Sequence, residues 1–263
     1  MLRQVFCVLG VWSLLIAAPL SVAGAADMSM PLKAPYAPPP AASWTGCYLD
    51  GGFGYGMSNI NTYGETFPGL VPLTTGNDSG GEGWLARLGG GCDYQFPLGG
   101  LGNFVLGAFG DYDFMNLKSN MADVSGLGGP ERESGAWYAG GRLGFLVTPS
   151  LLVYTDGGYT QTRFDAATVS STVLAVPSPA FLLPAQTYSG WFLGGGTEYA
   201  LSMSWVPIRG LFWRNEYRYA QYQSADLPIS LATTGVVTAA EHTSNNVQTI
   251  TSSLVWRFNW GGR

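Results

Sequence analysis

Lysine is almost missing from this chain: Lys33 and Lys118 are the two among 263 residues, and only 11% of the sequence is charged. So little charge fits neither a disordered polyelectrolyte nor an ordinary soluble enzyme. The formal net charge of −5 argues against nucleic acid or an anionic surface as a bulk electrostatic partner. Only one histidine, His242, is available, and no metal-ligand cluster, phosphate loop or cofactor motif is readable. Neither a cofactor nor a metal is therefore expected. Past the first residues no segment offers 18 uninterrupted apolar residues, which excludes a helical membrane span and leaves a closed barrel as the one way to cross a bilayer. Cysteine is scarce too. Of three, Cys7 lies in the leader, too early for the lipid-modified cysteine of a bacterial lipoprotein, so Cys47 and Cys92 remain.

The start of the chain reads as a secretory signal peptide over residues 1–25: Arg3 supplies the positive start, Val5 to Ala18 the apolar core, and Ala23-Gly24-Ala25 the small-residue cleavage site. Residues 26–43 carry Pro31, Pro35 and Pro38-Pro39-Pro40, cannot join a central strand, and read as an extended periplasmic linker. A barrel domain is expected over residues 44–260.

Glycine and aromatics are abundant, and the aromatics are phased. Arg214, Glu216 and Arg218 alternate with Trp213, Asn215, Tyr217 and Tyr219. A strand sends successive side chains to opposite faces, so charge gathers on one face and aromatics on the other. The pattern recurs over eight predicted strands, at 44–57, 82–96, 103–115, 134–147, 151–164, 188–201, 208–220 and 246–258. Twelve charges keep one phase: Asp50, Arg87, Asp93, Asp111, Asp113, Arg142, Asp156, Glu198, Arg214, Glu216, Arg218 and Arg257. The opposite phase is mostly apolar. Glu82, Arg163 and Arg209 break the rule at predicted rims.

Short connections (97–102, 148–150, 202–205) alternate with long ones, read as loops, at 59–81, 116–133, 165–187 and 221–245. That alternation, with an even strand count, predicts an all-β fold: an eight-stranded antiparallel up-and-down transmembrane barrel in the outer membrane, its long loops extracellular and its termini periplasmic. Trp44, Phe96, Phe104, Phe145, Trp205, Trp256 and Phe258 fall at one end of the strands. Tyr55, Trp84, Tyr112, Phe114, Trp137, Trp191 and Tyr219 fall at the other, and the two sets read as interfacial girdles. A soluble lipocalin-like barrel would turn the phases round, with a polar exterior and apolar lumen. The signal peptide, the loop alternation and the aromatic ends decide against it.

Seven inward carboxylates and five inward arginines predict a packed ionic network, because an eight-stranded lumen is just wide enough for side chains to fill. Asp111 and Asp113 could be a catalytic carboxylate pair, or partners of luminal arginines, the plainer reading. His242 could serve a rim-site lipid hydrolase or be an exposed loop histidine, again the plainer reading. A hairpin register with Met57 opposite Gly83 brings Cys47 within one residue of Cys92. The two could form a disulfide in an oxidising compartment, or, more simply, be free small apolar side chains in lipid contact.

Several ordered stretches are similar to a known family. They are Ala25-Ala26-Asp27-Met28 with the Pro-rich leader, Trp44-Thr45-Gly46-Cys47-Tyr48-Leu49-Asp50-Gly51-Gly52, Gly194-Gly195-Gly196-Thr197-Glu198-Tyr199-Ala200, Glu216-Tyr217-Arg218-Tyr219 and Leu254-Val255-Trp256-Arg257-Phe258. The chain resembles the small outer-membrane β-barrel surface antigens of alphaproteobacteria, the porin-like outer-membrane immunogenic proteins, more distantly related to OmpA-like barrels. Cys47 departs from the pattern, where an aromatic is usual, and the chain runs on past Phe258 to Arg263. The resemblance implies insertion through the barrel-assembly machinery, which reads an aromatic-ended last strand and so points to Trp256 with Phe258 or Trp260. It also implies a structural, envelope-stabilising or host-contact role, with small-solute passage or haem binding as family-level alternatives. The expected function is therefore a non-enzymatic outer-membrane barrel that contacts lipid and an unidentified surface partner, the alternatives being a narrow channel and the hydrolase.

Overall fold

The computed structural model describes residues 43–122, 127–171, 181–201 and 210–258. The predicted signal peptide, nearly all of the linker, the turn at 202–205, Arg209 and Trp260 lie outside the described residues. Alternating sequence builds β1 (Gly46–Glu65), β2 (Asn77–Pro97), β3 (Asn103–Ala122), β4 (Leu127–Thr148), β5 (Leu151–Phe164), β6 (Ala167–Ser171), β7 (Phe181–Leu183), β8 (Gln186–Ala200), β9 (Leu211–Tyr222), β10 (Ala225–Leu231) and β11 (Val237–Phe258). Neighbours are antiparallel in the order β1-β2-β3-β4-β5-β8-β9-β11, and β11 returns to β1 from Cys47↔Phe258 to Glu65↔Ala240. An eight-strand ring is closed.

β6, β7 and β10 are continuations of ring strands past short breaks. Asp165-Ala166 separates β5 from β6, Pro184-Ala185 separates β7 from β8, and Gln223-Ser224 separates β9 from β10. Beyond those breaks β4 pairs β6, β6 pairs β7, β7 pairs β10 and β10 pairs β11. The cross-section thus stays at eight strands while three members are re-aimed. At Pro184 the reason is local, since proline has no N–H to carry the ladder.

These pairings correct the four long loops read from the sequence. Most of 59–81, 116–133 and 221–245 is strand, and the described part of 165–187 holds β6, β7 and the start of β8; β1 alone runs 20 residues, about twice the 9 to 11 needed to cross the hydrocarbon. The sequence reading stopped where its rule inverts. Over the lower part of the ring the exposed face carries Phe53, Met57, Trp84, Leu88, Leu106, Phe114, Trp213, Tyr217, Ile250 and Leu254. Above Met57, Trp84, Phe114, Trp137, Trp191 and Tyr219 the exposed face turns to Asn59, Glu82, Asn116, Lys118, Asn120, Arg132 and Arg163. The buried face turns at the same level to Ile60, Leu117, Val169, Leu183, Leu227, Ile229 and Val247. Outward apolar residues mark lipid as solvent, and outward polar residues mark water. The polar exterior rejected for the whole chain is the exterior of this upper part, whose buried face mixes those apolar residues with Ser119, Glu131, Glu133 and Asn245.

A register shift between Glu133 and Gly135 on β4, and between Phe114 and Leu117 on β3, sits at that boundary. It moves β4 by one phase, so that Glu131, Glu133, Ala136 and Tyr138 all point inward.

At the opposite, short-turn end the chain enters the lumen. The sequence puts Trp44 in an interfacial girdle; it is instead fully buried, packed 4.8 Å from Phe212 with its indole N–H donating to Pro149 O at 3.3 Å. Val105, Leu152 and Val255 complete this apolar floor. Trp44 precedes the first ladder pair, so strand parity does not govern it.

Candidate functional site

Above the floor, strands β1, β2, β3, β4, β5, β8, β9 and β11 deliver all twelve in-phase charges into one layer. Their side chains are at most 6% exposed. Glu198 is the hub of the lower half. Its Oε1 accepts from Arg257 Nε and Nη2 at 2.9 and 2.6 Å, and its Oε2 from Arg214 Nε and Nη2 at 3.1 and 3.0 Å and from Arg142 Nη1 at 3.1 Å. Arg142 also forks onto Asp93, whose Oδ2 accepts from Arg257 Nη1 at 2.7 Å, and Arg214 reaches Asp50 at 3.3 Å.

The upper half has two forks. Arg87 donates to Asp113 at 2.6 and 2.7 Å, and Arg218 to Asp111 at 2.8 and 2.8 Å. Glu216 joins them, 2.5 Å from Arg87 Nη1 and 2.6 Å from Arg218 Nε, while Asp156 accepts from Arg218 at 3.3 Å. Arg218 and Asp111 stand on strands that do not touch, so these bonds cross the lumen.

Strand parity sets the neutral Tyr48 and Tyr154 on the same face as Asp50 and Asp156, and both are buried in this layer; Tyr138, Phe109 and Phe192 are not among the inward residues read from the sequence. Tyr154 donates to Glu216 at 2.6 Å. The Tyr48 ring lies 4.7 to 4.9 Å from the guanidinium carbons of Arg214, Arg142 and Arg257. Tyr138, Phe109 and Phe192 surround that of Arg218 at 4.9 to 5.1 Å. Such ring faces stabilise desolvated cations. Room for the arginines comes from inward glycine: a Cβ on Gly194 would lie 2.5 Å from Asp156 Oδ1 and 2.8 Å from Arg218 Cγ.

Cys47 and Cys92 form a disulfide between β1 and β2. The observed register sets Met57 against Glu82 and Cys47 directly against Cys92, one residue from the register inferred from the sequence. The simpler reading of two free thiols is corrected accordingly. Trp256 is exposed on the lipid-facing side of β11 and stacks near Phe258, with ring centres 5.6 Å apart.

The upper lumen holds carboxylates that the loop reading hid. Glu131 and Glu133 are buried on β4; Glu131 accepts from Ser119 at 3.5 Å and Glu133 from Thr162 at 2.5 Å. Burial raises each carboxyl to a pKa of about 7, against the lowering effect of its hydroxyl partner. Unbroken parity would set positions 131 and 133 in step with the outward Trp137, and only the register shift between Glu133 and Gly135 turns both inward. His242, expected in an exposed loop, stands on β11, half-buried and hydrogen-bonded to Asp226 at 2.5 Å.

An outward belt of aromatics, a charged lumen and a closed eight-strand ring are the physical marks of an outer-membrane barrel. The sequence profile of the outer membrane protein beta-barrel domain matches residues 15–258. The chain belongs to that family. It is an outer-membrane β-barrel protein, and among curated proteins it is similar to the 31 kDa outer-membrane immunogenic proteins of Brucella melitensis and Brucella suis. Each is 27% identical over 216 residues, covering 77% of this chain and 82% of the relative. Among solved structures it is similar to the attachment invasion locus protein Ail of Yersinia pestis (9% identity, TM-score 0.35, 81% of this chain and 99% of that one). It is also similar to the outer-membrane protease OmpT of Escherichia coli (12% identity, TM-score 0.39, 83% and 99%). Both likenesses are too distant to inform on activity.

Proposed function

We propose that this outer-membrane barrel is a closed, non-enzymatic scaffold that holds a stiff platform above the lipid for contact with other surfaces. In this reading the extended end is extracellular, and the short turns and both termini are periplasmic. The observation that carries the reading is the upper ring: it runs well past the aromatic belt, polar outside and packed inside, and so stays shaped in water without lipid support. Its tips, Thr66–Gly76 and the turn after Leu231, are where a partner would meet it. The name of the Brucella relatives, outer-membrane immunogenic proteins, supports exposure at the cell surface.

A non-enzymatic role is supported by the luminal carboxylates. Asp113 and Asp111 are each gripped by a guanidinium fork instead of sharing a proton with one another. The experiment is topological. An epitope placed between Gly235 and Val236 should bind antibody on intact cells, and one between Pro149 and Ser150 should do so only after the outer membrane is opened. The reverse pattern would overturn the orientation and, with it, the surface role.

A further inference from the structure

Three strands bring three donor groups to one spot on the outer face of the extended end. His242 of β11 stands opposite Tyr63 of β1 on one side and Asp226 of β10 on the other. The imidazole stacks on Tyr63, with ring centres 4.7 Å apart and planes 20° from parallel, and its Nδ1 lies 2.5 Å from Asp226 Oδ1. Glu65 follows two residues after Tyr63 and pairs with Ala240, two residues before His242, so it falls on the same face. One ligating atom from each of Glu65, Asp226 and His242 lies within 4.8 Å of the other two. Glu65 is only 4% exposed, and its Oε2 is buried without a hydrogen-bond donor. A carboxylate oxygen left so carries a desolvation cost that a cation would offset.

We propose that Glu65, Asp226 and His242 form a binding site for a divalent transition-metal ion, with zinc the best match to the donors. Two carboxylate oxygens and one imidazole nitrogen suit a borderline cation, whereas calcium takes six to eight oxygens. Zinc bonds of about 2.0 to 2.2 Å place neighbouring donors roughly 3 to 4 Å apart, so the three groups need only side-chain adjustment to converge. Entry of the ion replaces the contact between His242 and Asp226, while Tyr63 holds the ring plane. The Asp226 and His242 side chains are 39% and 26% exposed, which leaves the ion reachable from solvent with coordination positions free for water. A bound ion would tie β10 to β1 across β11, pinning the part of the ring where β10 has taken over from β9. The donors are far apart in sequence, Glu65 ending one strand and His242 lying inside another, so no spacing motif announces them.

The test uses the full mature protein without a histidine tag, extracted in detergent, stripped with chelator and titrated calorimetrically with zinc, manganese and calcium chlorides. One zinc per chain is expected, bound at least about tenfold more tightly than calcium. Glu65→Gln, Asp226→Asn and His242→Ala should each weaken zinc by about tenfold or more while heat-modifiable gel migration stays unchanged. Absence of saturable zinc binding, calcium binding as tightly as zinc, or zinc affinity unaltered in both Glu65→Gln and His242→Ala would overturn the proposal. Cobalt substitution adds a spectroscopic check: visible absorption in the unsubstituted protein that disappears in His242→Ala.

Discussion

Glu198 accepts from three arginines at once, which makes it the residue whose loss the lumen can least absorb. Glu198→Ala would leave Arg142, Arg214 and Arg257 facing one another across a desolvated space, with Asp93 and Asp50 as the remaining anions. Breaking a buried pair from one side costs about 3 to 5 kcal/mol, and a loss of that size is expected in urea unfolding of the micelle-inserted protein. Gly194→Val acts by volume instead, driving a side chain against Asp156 and Arg218, and should cost about 1 to 3 kcal/mol in the same assay. The charges themselves were legible from parity alone, because each belongs to a strand with a fixed face. Which carboxylate is the hub was not legible. That depends on how far around the ring each guanidinium reaches, and Arg142 finds Glu198 across 56 residues of sequence.

At the scale of the strand, the eight membrane crossings could be read because lipid imposes one phase on all of them. Their continuations could not, because water imposes the other, and a polar outward residue such as Lys118 then looks like a loop residue. The bulge in β4 compounded this by moving Glu131 and Glu133 out of step with Trp137 and Leu143. Those two carboxylates give the upper ring a pH dependence of defined sign. The unfolded chain titrates near the ordinary 4.5 and the folded one near 7, so in that window the folded state holds more protons. Stability should therefore fall as pH rises from about 4.5 through 7 and be lowest above it, by roughly 3 kcal/mol for each group. Urea midpoints at pH 5 and pH 8 measure the difference, and Glu133→Gln should remove about half of it. The hairpin of β1 and β2 offers a covalent check. In protein lacking residues 1–25, and so Cys7, denatured but unreduced chains should show no thiol reactive to maleimide, and reduced chains two, from Cys47 and Cys92.

The described residues form a barrel in two solvents, with three packed layers along its axis: the floor of Trp44, Val105, Leu152, Phe212 and Val255, the ionic layer, and the upper layer that includes Leu117, Tyr138, Phe192 and Val247. The layers are in series, so conduction requires all three to open together. Neutralising the middle layer alone leaves two apolar seals, each of which an ion could cross only by shedding its water. Planar-bilayer recordings of the protein should therefore show no steady discrete openings, and Arg142→Ala, which empties part of the ionic layer, should show none either. Arg142→Ala combined with Trp44→Ala breaches two layers, and the Tyr138 and Phe192 seal should still hold. Steady openings in the unsubstituted protein would mean that the charged layer lines a wet path, and the narrow-channel reading would then replace the scaffold.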